Sequence, residues 1–83
     1  MAIETQDVAA TVKGWLREHV TGQRELADDE PLIASGLLTS LQTVELVLFL
    51  DEHFGIEISD EEFVEENFQS VEAITRLVLS KHG

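Results

Sequence analysis

Two kinds of side chain in this sequence have the type and placement to do chemistry: a serine at a helix start and a scatter of histidines and acids. Thr39-Ser40-Leu41-Gln42 fits the T-x-x-Q capping box, in which the threonine caps a helix and the glutamine reaches back to it. With Thr39 as N-cap, Ser40 falls in the first turn with its hydroxyl free to point outward. Unpaired N–H groups and the positive end of the helix dipole favour a phosphate there. An ordinary helix-start serine occupies the same place for capping reasons alone, so Ser40 needs its surroundings to mean more. Ser35, Ser59, Ser70 and Ser80 lack that setting, and Ser59 and Ser70 read as caps.

Other chemistries find no footing. His19, His53 and His82 lie far apart without metal-ligand spacing, so no metal is expected. Asp60-Glu61-Glu62 lacks the Asp-x-Asp-x-Asp-Gly loop of an EF-hand. Ser40 and His53 would stand at opposite ends of one helix, ~20 Å apart at 1.5 Å per residue, which removes a Ser–His hydrolase. There is no Gly-rich phosphate loop, and no cysteine for a disulfide or a thiolate site. The expectation is a protein that is not an enzyme.

The elements that must position Ser40 follow from periodicity. Val8, Val12, Trp15, Leu16 and Val20 recur at helical spacing and predict a first helix from about Thr5 to Val20, closed by Thr21-Gly22 in a left-handed turn. Residues 21–38 lack sustained periodicity and hold the single proline, Pro31. Leu32, Ile33, Leu37 and Leu38 are nevertheless too apolar for a free linker, so this long loop should pack across the other elements. The second helix runs from Thr39 or Ser40 to His53, and Phe54-Gly55 closes it. It is apolar on more than one face, leaving a surplus surface for the loop or for a partner. After an extended connector at Ile56-Glu57-Ile58, the capping box Ser59-Asp60-Glu61-Glu62 predicts a short third helix through about Glu66. Ser70 caps a last helix with Val71, Ile74, Leu77 and Val78 as its stripe. The fold class is all-α: a four-helix bundle with three principal helices, one short third helix and a long loop after the first. Residues 1–83 read as a single domain.

Charge narrows the function classes. Seventeen acidic residues face five basic ones, a net −12 in 83 residues. Phosphate backbones and anionic membranes are bound through lysine and arginine clusters, so neither nucleic acid nor a membrane surface is a partner. Basic proteins are the natural counterpart, although acidity also serves solubility. No export signal opens the chain and no apolar run approaches ~20 residues, so a cytoplasmic location is expected. A chain this short has room for a shallow site but hardly for a deep cleft.

The run Ser35-Gly36-Leu37-Leu38-Thr39-Ser40-Leu41, then Thr43-Val44-Glu45-Leu46 and Phe54-Gly55-Ile56-Glu57-Ile58, resembles the acyl carrier protein family. The likeness in helix order, long first loop and the Ile58-Ser59-Asp60 step extends from about Thr5 to Lys81. It implies a covalent 4'-phosphopantetheine arm, moved from coenzyme A onto Ser40 by a phosphopantetheinyl transferase, with cargo held as a thioester. By residue-wise match it also implies that Leu41, Val44, Glu45, Leu48 and Ile58 face partners. Spacing alone leaves Val44 and Leu48 open between partner contact and core. Glu45, Asp51, Glu52, Asp60, Glu61 and Glu62 could meet basic docking surfaces on acyl- or aminoacyl-loading and transfer enzymes, though each alone is also an ordinary solvated charge.

Two residues depart from the family pattern. Thr39 stands where the family has aspartate; it keeps a capping oxygen but removes a charge thought to help the transferase place coenzyme A and its metal. Gln42 replaces an acid often found there. The approach Ser35-Gly36-Leu37-Leu38, together with Glu61-Glu62-Phe63-Val64 and Asn67-Phe68, is similar to free-standing D-alanyl carriers and carriers of polyketide extender units. The expected protein is thus a monomeric carrier in a specialised polyketide or aminoacyl pathway. The alternative is an unmodified carrier fold acting only as an acidic docking module.

Overall fold

The computed structural model describes residues 4–22 and 26–82. Helix α1 spans Thr5–Leu16, and Val8, Val12, Trp15 and Leu16 form its buried stripe. The chain then widens into a π-helical turn over Arg17–Thr21. The sequence predicted continuous α-helix to Val20. Val20 is half-buried against the core, so the apolar pattern survives the change of hydrogen-bond register and cannot reveal it. Gly22 has φ 71° and ψ −127°, positive in φ but outside the left-handed helical region expected of it.

Helix α2 spans Ser40–Phe54 and ends at Gly55, whose φ of 65° and ψ of 37° are left-handed. The Gly55 N–H donates to the Asp51 carbonyl, and Asp51 Oδ1 accepts the Ile58 N–H at 3.2 Å, so one residue steers the chain out of the helix. The third helix is where expectation and structure part. Glu62 Oε1 accepts from both the Ser59 N–H and the Ser59 hydroxyl, but the Glu62 N–H donates to the Ser59 carbonyl and not to Ser59 Oγ. Only half of the expected capping box forms, and the chain there makes only a turn. Helix α3 is the four residues Glu65–Phe68, later than the predicted start at Ser59. The turn at Ser59 goes no further, since Phe63 and Val64 leave helical geometry; Val64 is extended at φ −129° and ψ 153°.

Helix α4 spans Val71–His82, and Ser70 Oγ caps it by accepting the Ala73 N–H at 3.1 Å. It is the central element: α1 packs along it most extensively, and α2 touches it more lightly. Leu46 and Leu50 of α2, Phe68 of α3, and Val71, Ile74 and Val78 of α4 are fully buried with Val8, Val12 and Leu16. Each such side chain contributes about 1.5–3 kcal/mol of transfer free energy.

The long loop closes over this core as its composition required. Leu26, Leu32 and Leu38 are buried, and Ile33 and Leu37 are half-buried. Its backbone is tied down where α3 ends and the last helix begins: Leu32 N–H donates to the Gln69 carbonyl at 2.8 Å, and the Asp28 carbonyl accepts the Glu72 N–H at 2.9 Å. The Asp28 carboxylate also pairs with Lys13 of α1. No strand occurs among the described residues, and no helix there is long and apolar enough to cross a membrane.

Candidate functional site

Ser40 owes its position to the residues on either side. Thr39 is extended at φ −83° and ψ 169° and caps α2; its Oγ1 accepts the Gln42 N–H at 3.2 Å. Gln42 Oε1 reaches back and accepts from Thr39 N–H and Oγ1, both at 3.2 Å. The Thr39 carbonyl takes the Thr43 N–H at 2.9 Å and the Thr43 hydroxyl at 2.8 Å. With the cap duty carried by Thr39, Ser40 sits at the first helical position, exposed, and its hydroxyl bonds to no described protein group. The Ser40 and Leu41 amides likewise have no acceptor among the described residues, as expected for the first amides of a helix.

Two features fit this hydroxyl to a phosphodiester-linked arm. The open amides and dipole of a helix start offer hydrogen bonds and partial positive charge to a phosphate. No acidic residue occupies the first turn of α2 to oppose it. Beside Ser40 runs a shallow groove of about 180 Å³, lined by Ile33, Thr43, Phe63, Val64, Glu65 and Phe68. Its far wall is a pair of rings, Phe63 and Phe68, with centroids 5.7 Å apart.

The outer face of α2 continues from Ser40. Leu41, Val44 and Leu48 are 70%, 44% and 62% exposed, so Val44 and Leu48 are not core. Thr43, Leu46 and Leu50 take the inner face instead. Glu45 and Glu52 stand exposed on the same outer side, and Asp51 is half-buried. Ile58 is different; it is half-buried and packs against the core, so only part of it is presented. Sequence reasoning passed over Phe63 and Val64, which are 39% and 45% exposed across the groove from Ser40. Two large apolar residues directly after the capping-box pattern Ser59-Asp60-Glu61-Glu62 were the available signal.

Glu45, Glu52, Asp60, Glu61, Glu65 and Glu66 are exposed and pair with no basic side chain among the described residues. Lys13, Arg76 and Lys81 are each engaged elsewhere, with Asp28, Glu72 and Glu62. Glu62 is the acid that folding consumes. Hydrogen bonds from Lys81 first, then from the Ser59 amide and hydroxyl, hold its carboxyl down at about 2 from an ordinary 4.5. The histidines go to aromatic packing: His19 lies 4.6 Å from Trp15 and His53 stacks on Phe49 at 5.2 Å. The side chain of His82 lies outside the described residues.

The sequence model of the phosphopantetheine attachment site family matches residues 6–78. This chain therefore belongs to the phosphopantetheine attachment family, the carrier domains that bear 4'-phosphopantetheine covalently. Among solved structures, it is similar to a chain in the crystal structure of a Bradyrhizobium japonicum glycine:[carrier protein] ligase complexed with its cognate carrier protein and an analogue of glycyl adenylate. The match has 31% identity and a TM-score of 0.70, and it covers 93% of this chain and 97% of that one. The all-helical carrier bundle is thus the shared fold.

Proposed function

We propose that this chain is an aminoacyl or acyl carrier protein loaded with 4'-phosphopantetheine on Ser40. The observation that carries the reading is the Ser40 hydroxyl, exposed and unbonded at the first position of α2 with two open amides beside it. Attachment forms the bond from Ser40 Oγ to phosphorus as a pyrophosphate P–O bond of coenzyme A breaks. The adenosine bisphosphate leaves, and the serine proton passes to a base on the phosphopantetheinyl transferase. Bound there, the arm supplies the thiol that holds cargo as a thioester. The chain contains no cysteine to compete for that cargo.

The chain's own part is to hold and present. Thr39 spares Ser40 from capping, and the open amides at Ser40 and Leu41 favour the phosphate's charge. Leu41, Val44 and Leu48, with Glu45 beside them and Ile58 partly presented, form the surface for loading and transfer enzymes. Those enzymes carry the catalysis and meet the unpaired acids with basic residues. The likeness to a glycine ligase's partner favours an aminoacyl over a polyketide cargo. A cytoplasmic monomer completes the reading.

The test is glycyl transfer to the loaded protein by a glycine:[carrier protein] ligase with ATP and labelled glycine. The expected result is label on the arm that neutral hydroxylamine releases, the behaviour of a thioester. Label that resists hydroxylamine, or that also attaches to protein lacking the arm, contradicts the reading.

A further inference from the structure

We infer that Gln42 is a positioning residue for Ser40, because its one amide ties the start of α2 to the π-helical turn that follows α1. The inference rests on Ser40 being the loaded hydroxyl. Gln42 Oε1 accepts from Thr39 N–H and Oγ1, while Gln42 Nε2 donates to the His19 carbonyl at 3.4 Å, twenty-three residues away in sequence. His19 lies inside the π-helical turn Arg17–Thr21, just before the chain leaves the helix at Gly22. The His19 carbonyl is the acceptor that ties this turn to the start of α2.

The residue type matters. A carboxylate at position 42 can still accept from Thr39 but has nothing to donate to His19, and it repels that carbonyl. An aliphatic side chain does neither. Only an amide of this length keeps both bonds. Ser40 lies between Thr39 and Gln42, so the tie holds its turn against the π-helical turn that continues from α1. α1 is itself anchored along α4. A turn that is already held loses less freedom when an enzyme grips it, and weaker binding follows when it is loosened.

Replacing Gln42 separates the two bonds. Hydrogen exchange is measured on the apo forms of the natural protein, Gln42→Glu and Gln42→Met. KM and kcat are then measured for transfer of phosphopantetheine from coenzyme A by a broad-specificity transferase. In Gln42→Glu, exchange within residues 17–22 accelerates about two- to tenfold, the range one neutral hydrogen bond supports, while the first turns of α2 stay protected. KM for the carrier rises by the same factor and kcat holds. That rise runs against the charge effect, since an added carboxylate strengthens docking to a basic enzyme. Gln42→Met accelerates exchange in both segments. Unchanged exchange in 17–22 with unchanged KM in Gln42→Glu overturns the inference, as does a loss confined to kcat. A natural protein that is never loaded refutes the Ser40 reading and this inference together. A loaded natural protein with an indistinguishable Gln42→Glu variant refutes this inference alone.

Discussion

Lys81 Nζ donates to Glu62 Oε1 at 2.7 Å, joining the last turn of α4 to the segment that leads into Phe63 and Val64. The same oxygen accepts the Ser59 amide at 3.0 Å and the Ser59 hydroxyl at 2.9 Å. One carboxylate thus holds a turn that is too short to become a helix, and that turn delivers the two apolar residues facing Ser40 across the groove.

This clamp makes acid stability depend on Glu62. Its carboxyl is depressed to about 2 in the folded protein from an ordinary 4.5. Its contribution is therefore complete above about 4.5 and is lost as pH falls from there toward 2. Denaturation curves followed across that window should fall more steeply for the natural protein than for Glu62→Gln. Parallel curves would detach the clamp from stability.

Thr39 supplies the cap that leaves Ser40 free. Thr39→Ala should lower unfolding free energy by about 1 kcal/mol, the usual worth of an N-cap oxygen. Thr39→Asp should retain it, because aspartate caps as well and suits the dipole. Urea unfolding of the three proteins measures the difference, and an unaffected Thr39→Ala would show that the capping bonds add nothing.

The exposed face of α2 should bind without stabilising. Leu48→Ala removes a side chain that is 62% exposed, so thermal stability should change little while affinity for a loading enzyme falls about tenfold. Affinity should also weaken with added salt as the unpaired acids are screened. Calorimetric titration at two ionic strengths checks both; salt-independent binding would assign docking to the apolar residues alone.

Thr75 offers a stability test inside α4. Its side chain is buried at 3% exposure and Oγ1 has no hydrogen-bond partner among the described residues. Thr75→Val keeps the shape and removes the unpaired hydroxyl, and should raise unfolding free energy by about 1 kcal/mol. A loss of stability would mean that the hydroxyl is satisfied in solution.

Much of this architecture was legible because the signals were local. Thr39 and Gln42 announce their capping box in four residues, and Ser70 and Gly55 mark a helix start and a helix end equally plainly. The apolar loop residues Leu32 and Leu38 foretold their burial. What stayed hidden depended on partners remote in sequence or on hydrogen-bond register. The π-helical turn leaves Val20 on the buried side, so periodicity reads straight through it. The capping pattern at Ser59 and Glu62 forms only its carboxylate half and closes a turn, and the Lys81 that shares this carboxylate comes from the far end of the chain. The same locality governs the candidate site. Ser40 could be singled out from its neighbours, whereas Phe63 and Val64 join it only when α3 folds against the loop.

Ser40 itself is decided most directly by intact mass. The natural protein and Ser40→Ala are each incubated with coenzyme A and a broad-specificity transferase, alongside a carrier known to load. The natural protein should gain one phosphopantetheinyl group and Ser40→Ala none. A natural protein left unmodified while the control loads, or a Ser40→Ala protein that still gains the arm, would contradict the assignment.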